Sequence, residues 1–321
     1  MPARMGVLGA VGLALESTWG QAVSPTTYLE VSYADIRPLI GYEIPNTVRG
    51  TRARRLVARG PMVCSGTLTF DVCASAVGEV LKATFGTVTT TLVASSGGAA
   101  AYQHTFTRCD TTFLPSLTVE QNMGGLTSRQ VAGVRMNALT LTLSPGRSLT
   151  ADLDCRGREE ALVSPTSASY GSDEALHYLG LTAEVGGAEN VDVEEVLLRF
   201  SNSLVDNVWS AGSSGKLAKL PAGPFAVSGR MTMAMESTAA QELFTGGDPT
   251  SLKLRVAGAT LVGTWGCGLE IELPRVRYFS VRSPLTPGRL VYEIGFEAVL
   301  DASKQPPAEA VCKLWNARAG Y

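Results

Sequence analysis

The chain has 321 residues, 17% of them charged, and a formal net charge of −2. This length suggests about two domains, each able to bury its own core. The low charge argues against a strongly basic nucleic-acid-binding protein and against a disordered tail. The six cysteines include no C-x-x-C pair, so we expect buried, reduced thiols in a protein assembled in the cytosol.

An apolar run from Met5 to Leu15 follows Arg4 and has the length of a secretion-signal core. The run is too short to span a membrane. It passes directly into Glu16 and Trp19 without the small-x-small sequence of a signal cleavage site. Two interpretations stay open at this point: a removed signal and a segment of the folded protein.

Most of the chain is predicted to form strands, because apolar and polar residues alternate with a period of two. The clearest stretches are 117–121, 138–144, 148–154, 269–276 and 290–300. Pro145 and Gly146 occupy the central positions of a tight turn between the second and third stretches. This alternation is typical of strands with one buried face.

Two short helices are predicted between the strands. The first has Ser75 as its expected N-cap and Gly86 as its expected stop. Its apolar face comprises Val77, Val80, Leu81 and Phe85. In the second, Thr238 and Gln241 have the spacing of a capping box, and Gly246 is the expected stop.

An internal repeat is the most informative feature of the sequence. Residues 58–87 align without gaps to 221–250, and residues 133–147 align to 275–289. The first alignment repeats Gly60, Pro61, Ser65, Gly66, Thr69, Ala76 and Glu79 as Gly223, Pro224, Ser228, Gly229, Thr232, Ala239 and Glu242. A repeat of this long period indicates two copies of one domain rather than a solenoid.

The repeat sets the domain boundaries that we predict. The first copy, with an N-terminal arm, covers 1–158, and the second, shorter copy covers 176–303. A polar, turn-rich linker, 159–175, separates them. The end of the chain, 304–321, is predicted to be a C-terminal tail or a short helix.

Residue types that serve catalysis or metal binding do not cluster in the sequence. The two histidines, His104 and His177, lack the spacing to cysteine or carboxylate of a zinc site. Neither a nucleophile elbow nor a P-loop is present. Asp152 and Asp154 could hold a cation, but a solvated strand face is the favoured interpretation. We therefore predict no catalytic residue, no metal and no cofactor.

Several motifs of the first half follow one another in a recognisable order. They are "GLALESTWGQAVSPTTYLEV", an Arg-rich loop, "GPMVCSGTLTFDV", the first helix, "YQHTFT", "LPSLTVEQ" and "AGVRMNALTLTLSPGRSLTADLD". This order resembles the tail tube proteins of long-tailed, siphovirus-like bacteriophages. The resemblance covers residues 6 to about 157 directly and the second half only through the repeat. It implies a mainly β fold of two tandem tail-tube-type β-sandwich or barrel domains, each with a short flanking α-helix.

The resemblance also implies a function. Such proteins self-assemble into rings, and the rings stack into the hollow conduit through which double-stranded DNA passes without specific binding. The expected location is the virion tail, assembled in the host cytoplasm without a membrane, with tape-measure and tail terminator proteins as partners. Most members resemble one copy of the domain. If related rings present six domains, three chains of this protein would make a pseudo-sixfold ring.

The resemblance favours one interpretation of the N-terminal run. Similar proteins keep the "ESTWGQAVSPTTYLEV" segment in the folded subunit, so the run is expected to be a strand or arm. Its apolar residues would pack on a neighbouring subunit or on the chain's own sheet. They are Val7, Leu8, Val11, Leu13 and Leu15.

Two groups of functional residues follow from this hypothesis. The loop at 41–61 is expected to order on an adjacent subunit or ring through Arg49, Arg52, Arg54, Arg55 and Arg59. A channel rich in basic residues would hold DNA, so polar and acidic strand faces are expected to line the lumen. These residues are Thr140, Thr142, Thr150, Asp152, Asp154, Glu270, Glu272, Glu293 and Glu297.

A secreted β-sandwich binding module, such as an adhesin or a carbohydrate-recognition protein, is the alternative. It would require a cleaved signal and paired cysteines, and it usually shows clustered exposed aromatic residues. The four tryptophans are scattered along the chain, at Trp19, Trp209, Trp265 and Trp315.

Overall fold

The computed structural model is mainly β, as the alternating pattern predicts. It describes residues 5–44, 46, 48, 50–53, 58–285, 287–304 and 306–321. The strands, in chain order, are β1 (Ala10–Leu15), β2 (Thr27–Leu29), β3 (Val31–Tyr42), β4 (Arg59–Asp71), β5 (Gly86–Ser96), β6 (Ala99–Arg108), β7 (Leu117–Asn122), β8 (Ser128–Leu143), β9 (Thr150–Gly157), β10 (Glu159–Val163), β11 (Leu181–Val185), β12 (Ala188–Glu189), β13 (Val193–Ser201), β14 (Ala226–Ala234), β15 (Thr250–Val262), β16 (Trp265–Arg282), β17 (Val291–Ala298) and β18 (Val311–Asn316). The helices are α1 (Gly78–Phe85) and α2 (Ala239–Gly246).

Both predicted helices form, with small differences at their ends. Ser75 does not cap α1, because its backbone N–H and its hydroxyl bind the carboxylate of Asp173 instead. Gly86 ends α1 with a φ of 91°, as expected for a stop. Thr238 precedes α2, but its hydroxyl donates to the Glu242 carboxylate at 2.6 Å rather than capping the backbone. The left-handed stop of α2 is Gly247, one residue later than predicted.

Eight antiparallel strands form the central sheet, in the order β3-β4-β9-β8-β13-β14-β17-β16. The first four strands come from the first copy of the repeat and the last four from the second. The two copies meet where β8 pairs with β13, from Val196 opposite Leu143 to Ser201 opposite Ala138. We call this pairing the internal seam. The repeat therefore builds two similar four-stranded units that share one sheet.

The two units also share their irregularities. The pairing slips by one residue at Asn137 in β8 and at Phe279 in β16, two positions that the sequence repeat aligns. The repeated glycines Gly66 and Gly229 both lie where a Cβ would overlap a backbone carbonyl of the neighbouring strand. These shared constraints explain why the repeat retains glycine there. The division into two domains stays a prediction.

Two further sheets extend from the long strands β8 and β16. The first half of β8 pairs with β7 and β10, which gives the order β2-β1-β7-β8-β10. The first half of β16 pairs with β15 and β18, and β18 continues to β6 and β5. One hydrophobic core runs through both copies.

Among the described residues, no helix has the length and apolar character that a membrane span requires.

The chain terminus differs from the prediction of a tail or short helix. Residues 311–316 form β18, which pairs with β16 of the second copy and β6 of the first copy. Cys312 and Leu314 of β18 are buried, whereas Lys313 between them reaches a carboxylate of β16. This alternation is a strand pattern, and its short length hid it in the sequence. The terminus therefore joins the two copies.

The predicted linker also begins with a strand. Residues 159–163 form β10, which pairs with the first half of β8. The sequence of β10 is polar enough to read as a linker because the strand lies at the sheet edge. The rest of the segment, 164–175, contains no strand or helix.

The N-terminal run is part of the folded protein. Strand β1 lies between β2 and β7, and its residues Val11 and Leu13 are buried. Val7 and Leu8 precede β1 in a single 3-10 turn and are exposed. The interpretation of the run as an N-terminal strand is therefore confirmed for 10–15.

The "ESTWG" segment is fixed by one carboxylate. Glu16 accepts hydrogen bonds from the hydroxyls of Ser116 and Thr118, at 2.7 and 2.9 Å, and from the backbone N–H of Gly133 at 2.7 Å. Trp19 donates its indole N–H to the Gly133 carbonyl at 3.1 Å. These bonds hold the segment against the start of β7 and against Gly133 within β8, which explains its place in the fold.

Candidate functional site: a polar sheet face and two unpaired edges

The central sheet buries one face and leaves the other polar. Helix α1 packs against β8, and α2 packs against β16, on the buried face. Leu139, Leu153 and Phe200 point into that core. Because side chains alternate along a strand, the intervening residues form the opposite surface, which we call the polar face. Asp152, Arg199 and Arg230 on this face are exposed.

Seven of the residues predicted to line the lumen share the polar face. They are Thr140, Thr142, Thr150, Asp152, Asp154, Glu293 and Glu297. Thr140 lies opposite Asp152, and Asp152 accepts a hydrogen bond from Thr69 on β4. Alternation within single strands was therefore sufficient to group these residues. Whether this face lines a channel stays a proposal.

The structure does not bring Glu270 and Glu272 to the polar face. Both lie in the first half of β16, which leaves the central sheet to pair with β15 and β18. Glu270 is buried and accepts from Lys313 at 2.8 Å. Glu272 accepts from Lys304 at 2.7 Å, and this bond lowers the pKa of the Glu272 carboxyl. The two residues form ion pairs within the chain, and we leave them out of the candidate site.

Arginines also occupy the polar face. The members are Arg37, Arg156, Arg199, Arg230, Arg277 and Arg282. Arg156 binds the carboxylates of Asp154 and Asp206, the latter at 2.9 Å. Arg37 lies 3.5 Å from Asp35. Acidic and basic groups therefore nearly balance on this face. The alternation that located the threonines and aspartates also locates these arginines.

Two edges of the central sheet have no partner strand within the described residues. Strand β3 pairs only with β4, and the second half of β16 pairs only with β17. Large apolar side chains are exposed along both edges, among them Leu39, Tyr42 and Phe279. An unpaired strand edge with exposed apolar side chains is a template for pairing with another chain. These edges therefore form the second part of the candidate site.

The Arg-rich loop joins β3 to β4 at one end of the polar face. Arg52 and Arg59 are exposed, whereas Arg49, Arg54 and Arg55 lie outside the described residues. The corresponding loop of the second copy turns back on the first copy. There the Gly215 carbonyl accepts from the Met62 N–H at 2.7 Å, and Lys216 forms an ion pair with Glu159. The loop of the second copy is therefore engaged within the chain.

The two histidines each bind groups of their own surroundings. His104 is buried between Thr90 and Asn316, and burial lowers the pKa of its imidazole. His177 accepts from the Leu179 backbone N–H at 3.2 Å. Within the part of the chain that the structure describes, no group of three or more His, Cys, Asp or Glu side chains could hold a metal ion. The six cysteines are free thiols, of which Cys73 and Cys109 are half-buried and the other four are buried.

These features define a β-rich subunit with a polar sheet face and two edges open to further strands. The sequence matches the family model described as phage tail tube protein over residues 6–298, a span that includes both copies of the repeat. A comparison with curated protein sequences found no match. The chain belongs to the phage tail tube protein family. It is a structural component of the virion tail that assembles with its own copies into a tube.

Proposed function

We propose that three chains close into a ring, that rings stack into the tail tube, and that the polar faces line the channel for the phage genome. The internal seam is the observation that carries this proposal. Within one chain, β8 of the first copy pairs with β13 of the second copy. The counterpart of β8 is the second half of β16, and the counterpart of β13 is β3. Each of these two strands has one unpaired edge, so β16 of one chain can pair with β3 of another as β8 pairs with β13.

The repeat fixes the register of this external seam, by which we mean β16 of one chain beside β3 of the next. Ile36 pairs with Gly66 in the first copy, and Leu198 pairs with the equivalent Gly229 in the second. Ile36 therefore corresponds to Leu198. Arg37 and Arg199, the next residues along the two strands, correspond in the same way.

In the internal seam Arg199 lies opposite Thr140. The counterpart of Thr140 in β16 is Arg282, so the external seam is expected to place Arg37 opposite Arg282. Closing the sheet in this way removes both unpaired edges and forms a barrel.

Three chains are the number that the duplication favours. Each chain contributes two four-stranded units, so three chains supply the six units expected of a ring in the family. A closed ring of this kind has true threefold and pseudo-sixfold symmetry. Electron microscopy of tubes grown from the pure protein is expected to resolve three chains per ring. Six chains per ring, or only one copy of the repeat facing inward, would overturn the proposal.

The near balance of charge on the polar face suits a conduit for duplex DNA. Lysine and arginine contacts to phosphates release counterions and give affinity, so a basic channel would retain the genome. Tubes of the double variant Asp152→Lys and Glu293→Lys are expected to retain duplex DNA in a salt-sensitive, nuclease-protected form. Wild-type tubes are expected to release it.

The control variant, Glu189→Lys and Glu236→Lys, makes the same change in net charge at two exposed positions away from this face. Its tubes are expected to leave any bound DNA open to nuclease. Equal protection by the two variants, or none by either, would show that the polar face does not line the channel.

The Arg-rich loop is proposed to order on an adjacent subunit or ring by pairing with carboxylates there. The second-copy loop supports this role by analogy, since it is engaged with β4 of the first copy and with Glu159. A variant with Arg49, Arg52, Arg54, Arg55 and Arg59 changed to Ser is expected to assemble more slowly and with weaker salt dependence. Light scattering during assembly measures both. An unchanged rate and salt response would contradict the proposed role.

The remaining associations also stay proposals. They rest on the family alone and comprise assembly in the host cytoplasm and contacts with tape-measure and tail terminator proteins.

A further inference from the structure

Leu143 and Leu285 occupy equivalent positions in the two copies but differ in burial. Leu143 ends β8 and is 4% exposed, because it packs in the internal seam opposite Val196 of β13. Leu285 follows β16 and is 89% exposed. The strand that would cover Leu285 at an equivalent seam belongs to another chain.

The register of the external seam places Leu285 opposite Ala34 of β3. Ala34 lines an open groove between β3 and the N-terminal segment. The groove walls include the apolar or aromatic side chains of Val11, Tyr33 and Met123 and the polar side chains of Glu30, Asp71 and Asn122. A leucine side chain docked in this groove would therefore find apolar side chains among its walls.

A side chain already occupies the hydrogen-bonding groups of β3 beside this groove. The amide of Gln121 accepts from the Ile36 N–H at 3.1 Å and donates to the Ile36 carbonyl at 2.8 Å. One donor and one acceptor from a single amide reproduce the pair of bonds that a neighbouring antiparallel residue would make. In the register of the external seam, that residue is Ser283.

Pro284 is compatible with this arrangement. It corresponds to Thr142, which lies opposite Thr150 of β9 and opposite Leu197 of β13. Along an antiparallel strand, backbone groups point alternately to the two neighbours. At the end of the internal seam the Asn202 backbone N–H donates to the Asn137 carbonyl at 2.8 Å. Because the direction alternates from residue to residue, the Thr142 N–H points away from β13. A proline at this position removes no bond from the seam.

We propose that the segment 283–285 of one chain docks in the groove of the next, with Leu285 as its apolar anchor and Gln121 as the placeholder that Ser283 replaces. This inference rests on the ring proposed above. Ile36 keeps both of its hydrogen bonds in this exchange, because the Ser283 backbone supplies the donor and acceptor that the Gln121 amide gives up. The net gain comes from burial of Leu285.

The test compares Leu285→Asp with Leu179→Asp, since Leu179 is 87% exposed at a distant turn. Burial of a leucine predicts that Leu285→Asp raises the critical concentration for tube assembly by at least about tenfold. Its thermal unfolding as a free subunit is expected to match that of the wild type. Leu285→Met is expected to restore assembly, and Leu179→Asp to assemble normally.

Normal assembly by Leu285→Asp would overturn the inference, as would an equal defect in Leu179→Asp. The ring itself is tested separately by Val281→Pro, a change in the strand that does not involve the groove. If Val281→Pro fails to assemble while Leu285→Asp assembles, the ring stands and the anchor is wrong. If both variants assemble, the ring proposal fails as well.

Discussion

Tubes of the double variant Arg37→Cys and Arg282→Cys, after mild oxidation, are expected to yield covalent trimers on non-reducing gels. In the proposed register these residues face each other in a non-hydrogen-bonded pair, where Cα atoms lie about 4.5 Å apart. That distance suits a disulfide. Each chain would be bonded to both of its neighbours, so a closed ring of three is the expected product.

The internal seam provides a matched positive control for this experiment. Thr140 and Arg199 form the equivalent pair within one chain. The variant Thr140→Cys and Arg199→Cys is therefore expected to form its disulfide in the free subunit and to leave the chain monomeric on the gel. This control shows whether the pair geometry supports a disulfide at all.

A shifted pair provides the negative control. Leu39 lies two residues beyond Arg37 on the same side of β3, and such diagonal neighbours are about 7–8 Å apart. The variant Leu39→Cys and Arg282→Cys is expected to give few covalent trimers. Covalent hexamers from the in-register pair would contradict the ring of three, and equal linkage by the shifted pair would contradict the register.

Much of the fold could be predicted because the polarity pattern reports which side of a strand is buried. Thr140, Asp152 and Glu293 were placed on one kind of surface from alternation alone, and the structure groups them on the polar face. The first helix was found from its apolar spacing and the second from its capping-box spacing, each with a glycine as its stop. These signals are local, so a single stretch of sequence contains them.

The pairing of strands could not be predicted in the same way. The internal seam joins residues about 60 positions apart in the chain, and nothing in either strand specifies its partner. Glu270 was misplaced because β16 passes from one sheet into another within a single strand. The terminal strand β18 was missed because its place depends on two distant strands.

Pro38 is a residue whose role depends on the unpaired edge of β3. Pro38 lies within β3, and proline is tolerated in a strand where its nitrogen needs no partner. Ile36, two residues earlier, directs its backbone groups to Gln121, so Pro38 points its nitrogen to the same unpaired edge. Its counterpart Phe200 faces β8 across the internal seam. Proline here weakens unspecific edge pairing in the free subunit, while its carbonyl stays available to the proposed neighbour.

Val281→Pro and Leu139→Pro are expected to have opposite effects on folding and assembly, although the two positions are equivalent. Leu139 lies opposite Phe200 in the internal seam, and its N–H is needed for that ladder. Leu139→Pro is therefore expected to destabilise the chain strongly and to leave little folded subunit. Urea unfolding of the purified chain measures this loss.

At Val281 the change to proline is expected to affect pairing between chains rather than folding of the single chain. The Val299 N–H donates to the Arg275 carbonyl, so Arg275 points its backbone groups to β17. Counting along β16 from Arg275, with the one-residue slip at Phe279, shows that the Val281 N–H points away from β17, to the unpaired edge. The subunit is therefore expected to fold normally with proline there, since edge strands tolerate it. In the proposed ring Val281 lies opposite Pro38, so its N–H makes the one ladder bond available at that pair. Val281→Pro removes this bond and sets two proline rings against each other, and sedimentation is expected to find monomers without tubes. Tubes of normal yield would show that β16 does not form the external seam.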